Sequence, residues 1–232
     1  MRIAQLEVYV EFRPLELAEF DRLSRELLAR AVDLARETVP QATELELTLE
    51  DGSLFHRIVV YGWLFLVPTI EVTSHYHDLR ESVVDIVHDG RDFSQGAMDN
   101  FHKVTHAAPA QVIYKRTVSE DVERLHRILD NCERVARGVP YSQMAKMRRT
   151  IVHDLAELAR ANPNDPEVQK IIDSLPRAIF PKLPTTPQEA IDLDRRRSKS
   201  PQPKMQKAPH RPPPRHSFKE RVRIKQSPIH IR

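Results

Sequence analysis

Cysteine and glycine are scarce in this chain of 232 residues, and each shortage excludes classes of protein. The single cysteine, Cys132, rules out an intrachain disulfide and any all-thiolate zinc or iron–sulfur site. It also favours a reducing compartment. Five glycines are present, and no GxGxxG, Walker or GxSxG motif occurs. These absences weigh against dinucleotide, P-loop and α/β-hydrolase chemistry, so no cofactor is expected.

Long apolar runs are missing as well. The longest covers residues 58–70, which is 13 residues interrupted by glycine and proline. A helix that crosses a bilayer needs about 20 apolar residues. Residues 2–12 alternate between apolar and polar side chains, which is typical of a strand and not of a secretory signal. The sequence therefore predicts a cytoplasmic chain without a transmembrane segment.

The nearly balanced charge hides a sharp division along the chain. Thirty-six basic and 33 acidic residues leave a formal net charge of +3. Residues 195–232 hold thirteen cations and one acid, so this tail carries +12 and residues 1–194 carry −9. Eleven of the 18 prolines lie in residues 176–228. We expect a proline-rich linker over 176–194 and a basic, disordered tail over 195–232.

The acidic body shows helix and strand periodicities in the order of an α+β fold. Strand patterns occupy residues 2–12, 43–49, 54–61 and 110–118. Helix patterns occupy residues 14–38, 73–104, 117–137, 142–161 and a short stretch after residue 165. The sequence thus predicts a β-α-β-β sheet-and-helix domain with a long helix over 1–105, followed by a short strand and a helical hairpin over 106–175.

The long helix has a nearly heptad apolar stripe. Its members are Leu79, Val83, Ile86, Gly90, Phe93, Ala97, Phe101 and Val104. A stripe of this spacing packs either on a sheet or on another helix, so a homo-oligomer through residues 79–104 is one interpretation. Gly90 and Gly96 weaken the helix and mark either a break or a close approach of a neighbouring element.

The start of this helix carries a resemblance to a known family. The residues concerned are Tyr76, Asp78, Leu79, Arg80, Asp89, Arg91 and Phe93, after a β-α-β-β unit. They resemble the linker helix of small adaptor proteins in bacterial conflict systems, which are similar to the TRADD-N type of α+β interaction domain. The resemblance covers residues 1–105. It implies a nonenzymatic adaptor that brings an effector to a sensor.

Histidines and acids cluster between residues 75 and 106. His75, His77, Asp78, Asp85, His88, Asp89 and Asp92 are types that bind zinc or manganese, and His102 and His106 are four residues apart. A small hydrolase or nuclease using the segment 75–106 is therefore one alternative function. Most of these side chains lie opposite the apolar stripe, which favours a solvated face. We predict no catalytic and no metal-binding residues.

The tail is the feature most directly suited to binding. The cations expected to contact a partner or nucleic acid are Arg195, Arg196, Arg197, Lys199, Arg211, Arg215, Lys219, Arg221, Arg223 and Lys225. Alternation at Val222, Ile224, Ile229 and Ile231 is typical of a segment that adds a strand to a partner. The leading prediction is a nonenzymatic adaptor whose tail engages another protein. The alternatives are nonspecific nucleic-acid binding, and a tail that folds back on the acidic body.

Overall fold

The structure is a computed structural model. It describes residues 1–11, 13–51, 54–63, 76–108, 111–117, 119–177, 180, 182–197 and 214–224, without the side chains of residues 77, 78, 114, 116 and 197. These residues form a five-stranded sheet and six helices, which confirms the α+β class. The strands are β1 (Arg2–Val10), β2 (Ala42–Glu50), β3 (Leu54–Gly62), β4 (Val112–Arg116) and β5 (Ser217–Arg223). The helices are α1 (Leu17–Thr38), α2 (Tyr76–Thr105), α3 (Glu120–Ala136), α4 (Tyr141–Ala161), α5 (Pro166–Ser174) and α6 (Pro187–Arg197).

The chain forms two compact units. The first, which we call the sheet unit, contains residues 2–63, 85–119 and 207–232. The second, which we call the helical unit, contains residue 1 together with residues 64–84 and 120–206. This grouping differs from the predicted boundary at residue 105, because β4 pairs antiparallel with β1 and so belongs to the sheet.

The sheet is antiparallel throughout, in the order β4-β1-β3-β2-β5. Alternation along the strands sends one set of side chains to each face. The apolar set from β2 and β3 is fully buried: Leu45, Leu47, Leu49, Ile58 and Val60. The amphipathic helix α1 buries Phe20, Leu23, Leu27 and Ala31. The core of the sheet unit is therefore built by the two periodicities, 2 and 3.6, that the sequence displays.

The apolar stripe of α2 is buried within the chain. Leu79, Val83, Ile86, Phe93, Ala97 and Phe101 are each at most 2% exposed. The helix continues through both glycines, and at Gly96 the missing Cβ allows a close approach of Leu34. A Cβ atom at Gly96 would lie 2.9 Å from Cδ1 of Leu34, and one at Gly90 would lie 3.4 Å from the carbonyl oxygen of Ile3. Because these members of the stripe are covered within the chain, a homo-oligomer through residues 79–104 would need other side chains of the helix.

The helical unit contains the predicted hairpin. Arg127 forms a two-hydrogen-bond ion pair with Asp154, and Asn162 donates to Asp121, so α3 and α4 run antiparallel. Gly138 ends the turn after α3 with a φ of +86°, a left-handed conformation that suits glycine. Helix α5 begins at a proline, and the carboxylate of the capping residue Asp165 accepts a hydrogen bond from the amide of Glu167.

The linker prediction for residues 176–194 is corrected by the structure. Phe180 and Leu183 are buried in the helical unit, and residues from 187 onward form α6. Proline at the first helical position is compatible with a helix, because its missing N–H has no partner there in any case. Ala190 and Asp194 are buried, so packing on α4 holds a segment whose proline content alone indicates extended chain. The disordered tail is corrected in two parts: residues 195–197 end α6, and residues 217–223 form β5.

A buried, unpaired histidine lies in the centre of the sheet unit. His56 on β3 is fully buried, and neither ring nitrogen has a hydrogen-bond partner in the described part of the chain. Its ring stacks on Phe101 of α2 at a centroid distance of 5.0 Å. Burial lowers the pKa of His56 from 6.5 to about 3, because the cationic form cannot be solvated there.

This histidine predicts a sensitivity to acid. Between the folded pKa of about 3 and the unfolded value of 6.5, the unfolded chain binds the extra proton, so stability falls as pH falls through that range. From pH 7 to pH 5 this group contributes a loss of about 2 kcal/mol. We expect the His56→Leu chain to lose about 2 kcal/mol less than the unchanged chain over the same interval. Urea unfolding at both pH values, followed by the fluorescence of the single tryptophan Trp63, measures the difference.

The control for this prediction is His88→Leu, which removes an exposed histidine from the same unit. It should follow the unchanged chain at both pH values. Identical pH dependence of the His56→Leu and unchanged chains would contradict the assignment of a buried neutral imidazole.

Candidate interaction site

The basic tail supplies an edge strand of the chain's own sheet. Residues 217–223 pair antiparallel with β2, from Ser217 opposite Glu50 to Arg223 opposite Glu44. The pairing extends beyond the strand at both ends. The amide of Ile224 donates to the carbonyl of Thr43 at 2.8 Å, and the amide of Asp51 donates to the carbonyl of His216 at 3.2 Å. The tail segment therefore covers the edge of β2 from Thr43 to Asp51. We call the β2 edge, with the residues that contact this segment, the strand site.

Opposite charges meet on the outer face of the strand site. Lys219 Nζ lies 3.3 Å from Glu46, and both Arg221 and Arg223 pair with Glu44. The guanidinium of Arg221 also lies 4.2 Å from the ring centroid of Tyr61. Exposed ion pairs of this kind contribute at most about 1 kcal/mol each. Their main effect is on which strand pairs here and in which register, because like charges placed opposite each other destabilise a ladder.

The inner face of β5 is incompletely packed. Phe218 lies opposite Leu49, and Val222 lies opposite Leu45, but the position opposite Leu47 is occupied by Glu220. Phe218 and Val222 are only half-buried and Glu220 is exposed. A groove of about 620 Å³ lies between β5 and α1, lined by Arg25, Leu28, Ala29, Val32, Asp33, Arg36, Phe218, Glu220 and Val222. An inward-facing charge on an edge strand discourages further strand addition, and it also leaves β5 weakly anchored.

A buried carboxylate holds the beginning of the tail strand. Asp51 follows β2, is 3% exposed, and accepts hydrogen bonds through Oδ1 from the amides of Arg215 and His216, both at 2.8 Å. Its Oδ2 is buried without a hydrogen-bond partner in the described residues and lies 3.9 Å from Nε2 of His216. The ring of His216 in turn packs 5.7 Å from Phe20. The sequence indicates only a hairpin turn at Asp51, since its two partners lie more than 160 residues away.

The predicted tail cations are divided among different parts of the chain. Arg195 and Arg196 are exposed at the end of α6 in the helical unit, and Arg197 ends that helix. Arg215, Lys219, Arg221 and Arg223 lie at the strand site. Lys199, Arg211 and Lys225 lie outside the described residues, as do Ile229 and Ile231. The strand prediction for the tail is thus met by β5, but the sheet edge that receives it belongs to the same chain.

The histidine-rich segment does not assemble a catalytic group among the described residues. His88 is exposed beside Asp92 at 3.5 Å, and His102 pairs through Nδ1 with the carbonyl of Ala107 at 2.7 Å. His106 is exposed at the end of α2. His75 and the side chains of His77 and Asp78 lie outside the described part of the structure.

One cluster with metal-ligating atoms lies elsewhere, in the helical unit. Ligand atoms of His153, Glu157 and Asp194 lie within 4.8 Å of one another. Arg160 donates to Glu157 and, at 2.8 Å, to Asp194, while His153 contacts the other Asp194 oxygen at 3.1 Å. Burial alone would raise the pKa of Asp194, but these hydrogen bonds lower it. The carboxylate oxygens that would bind a metal ion are therefore already hydrogen-bonded to the guanidinium of Arg160. Sequence reasoning missed this cluster because α6 was interpreted as linker.

The side chain of Cys132 belongs to the buried face of α3, together with Leu125, Ile128 and Leu129. The side chain is 1% exposed, and burial raises the pKa of its thiol to about 12. A nucleophilic cysteine needs an accessible, electropositive setting.

No protein-family model, curated protein or solved structure matches this chain significantly. Within the described residues, no helix has the length and apolar character needed to cross a membrane.

Asp51 is expected to control how firmly β5 is held. In the full chain, Asp51→Ala removes the acceptor of two backbone hydrogen bonds, each charge-assisted and worth about 1.5–3 kcal/mol. We expect amide hydrogen exchange in residues 214–224 to accelerate at least about tenfold. Peptide-resolved exchange mass spectrometry measures this directly.

Glu50→Ala serves as the matched control, since it removes a neighbouring carboxylate with no contact to those amides in the described structure. Exchange in residues 214–224 should change little. Equal acceleration in the two variants would show that loss of negative charge, and not the Asp51 acceptor, releases the strand.

Proposed function

We propose that this chain is a nonenzymatic interaction protein whose basic C-terminal segment engages a partner by strand addition to an acidic sheet edge. The observation that carries the proposal is the pairing of residues 217–223 with β2 along its length. Main-chain hydrogen bonds supply affinity in this mode of recognition, and alternate side chains supply specificity. The same segment is suited to leaving β2 and pairing with a similar edge on another protein.

Two further features support an interaction protein over an enzyme. The described histidines of the segment 75–106 are dispersed, and the cluster of His153, Glu157 and Asp194 in the described residues is neutralised by Arg160. The resemblance over residues 1–105 points to the same class, an adaptor that brings an effector to a sensor. The proposed role of the tail is then to make one of the two contacts that an adaptor needs.

Nonspecific nucleic-acid binding uses the same cations differently. Lys219, Arg221 and Arg223 are paired with glutamates, which reduces the number of cations free to contact phosphates while β5 is docked. Arg195 and Arg196 are exposed and remain suited to that alternative. Binding to nucleic acid that falls steeply with salt, and that needs Arg195 and Arg196 instead of β5, would favour it.

Locking the tail strand tests the proposal. Glu46 and Arg221 face each other in register, and facing Cα atoms in antiparallel strands lie about 4.5–5.5 Å apart, within the range that a disulfide spans. In the full chain, Glu46→Cys with Arg221→Cys should form an intrachain disulfide that keeps β5 on β2. We expect immobilised oxidised protein to lose capture of a partner from extracts of the cells that express it, and reduction to restore capture. Quantitative mass spectrometry of the captured proteins is the measurement.

Each single cysteine variant is a control, because it carries one substitution without the crosslink. Cys132 is buried and does not compete for the disulfide. A partner captured equally well by the locked and reduced forms would contradict a role for the released tail strand.

A further inference from the structure

We infer that the β2 edge is itself a binding site for basic amphipathic strands of other proteins, and that residues 217–223 act as its intramolecular competitor. The inference rests on the proposed function for the mode of binding, strand addition. It differs in the direction of binding: here the chain accepts a strand as well as supplying one. The partner is defined by chemistry, through the pattern that the strand site matches.

The register of β5 defines the pattern that the site accepts. The two positions that face Glu44 and Glu46 accept cationic side chains, and in β5 these are Arg223 and Arg221. The alternate positions face Leu49, Leu47 and Leu45 on the inner side. Two consecutive amides just before the strand are held by Asp51. A partner segment therefore needs alternating cationic and apolar side chains and free backbone amides at its start.

At the middle position of the inner face, which Glu220 occupies in β5, a partner strand can bind more tightly than the chain's own segment does. Glu220 faces Leu47 there and lines the groove beside α1, whose wall includes Leu28 and Val32. Leu47 itself is already buried, so an apolar side chain at this position would instead cover apolar surface of α1 in the groove. Burying one valine-sized side chain favours binding by about tenfold. The site thus fits a foreign strand with cations outside and three apolar residues inside better than it fits β5.

The covalent link to β5 sets the level of competition. For a segment tethered within reach of its site, an effective concentration on the order of 1 mM is typical. A free peptide with an intrinsic dissociation constant of about 10 µM is then weakened about 100-fold by the docked segment. A partner binds the unchanged chain only if it is better matched than β5 or if β5 is released.

The experiment uses full-length chains and labelled peptides corresponding to residues 214–224. One peptide has the native sequence, one carries Glu220→Val, and one is charge-reversed by Lys219→Glu, Arg221→Glu and Arg223→Glu. The chains are the unchanged protein and the variant Arg221→Glu with Arg223→Glu, which places acids opposite Glu44 and Glu46 and leaves β2 intact. Fluorescence anisotropy measures binding, and hydrogen exchange in residues 42–50 measures release of the edge.

The matched control is Arg195→Glu with Arg196→Glu, which changes the net charge equally at exposed positions of α6. We expect the Arg221 and Arg223 variant to bind the native peptide about 100-fold more tightly than the unchanged chain and the control. The Glu220→Val peptide should bind about tenfold more tightly again, and the charge-reversed peptide should not bind.

Three results would overturn the inference: no binding of the native peptide to the variant, equal binding of the charge-reversed peptide, or no increase in exchange of residues 42–50 in the variant. Failure here is distinguishable from failure of the proposed function. If peptides do not bind but locking β5 still abolishes partner capture, the tail is a donor strand only. If peptides bind but locking has no effect on capture, the edge is an acceptor and the donor role is wrong.

Discussion

An edge strand leaves a row of backbone N–H and C=O groups without partners, and this constraint organises the sheet unit. At the β2 edge the missing partners come from residues 217–223, which are more than 160 positions along the chain. The ladder continues past both ends of the strand, through Thr43 and Asp51. Without this pairing, β2 would present an apolar inner row and an acidic outer row to any complementary strand.

Besides the backbone ladder, two kinds of side-chain interaction hold the tail strand, and they have different consequences. The ion pairs of Lys219, Arg221 and Arg223 are exposed, so they select the register more than they add stability. The Asp51 carboxylate is buried and its bonds to two amides are worth more, since the acceptor is charged and shielded from water. Firm anchoring at one end and an uncovered Glu220 in the middle make β5 a strand that is specific but replaceable. This combination is what the proposed exchange of strands requires.

Polar groups elsewhere in the chain follow the same physical logic. His56 is neutral because its environment offers no solvation for a cation, so the pH-dependent part of its cost appears in acid. Asp194 keeps its charge because Arg160 and His153 donate to it. The first arrangement makes stability depend on pH. The second neutralises a cluster that would otherwise suit a cation.

Most of the fold could be predicted from local patterns. The alternation in residues 2–10 and the spacing of Phe20, Leu23 and Leu27 specify a strand and a helix that the structure confirms within a few residues. Helix α6 could not be predicted in the same way, because proline content dominates residues 176–187. Its helical state depends on burial of Ala190 and Asp194 against α4, which no local window contains.

The same distinction between local sequence pattern and tertiary packing holds for the candidate site. The sequence by itself determined that an acidic body is joined to a basic tail, and that the alternation around Val222 suits strand pairing. Only the tertiary structure decided that β2 of the same chain receives this strand, and that Asp51 holds its beginning. The physical reason is that strand pairing satisfies backbone groups whatever their separation along the chain. Local side-chain pattern therefore specifies a strand, whereas the closed fold specifies its neighbour.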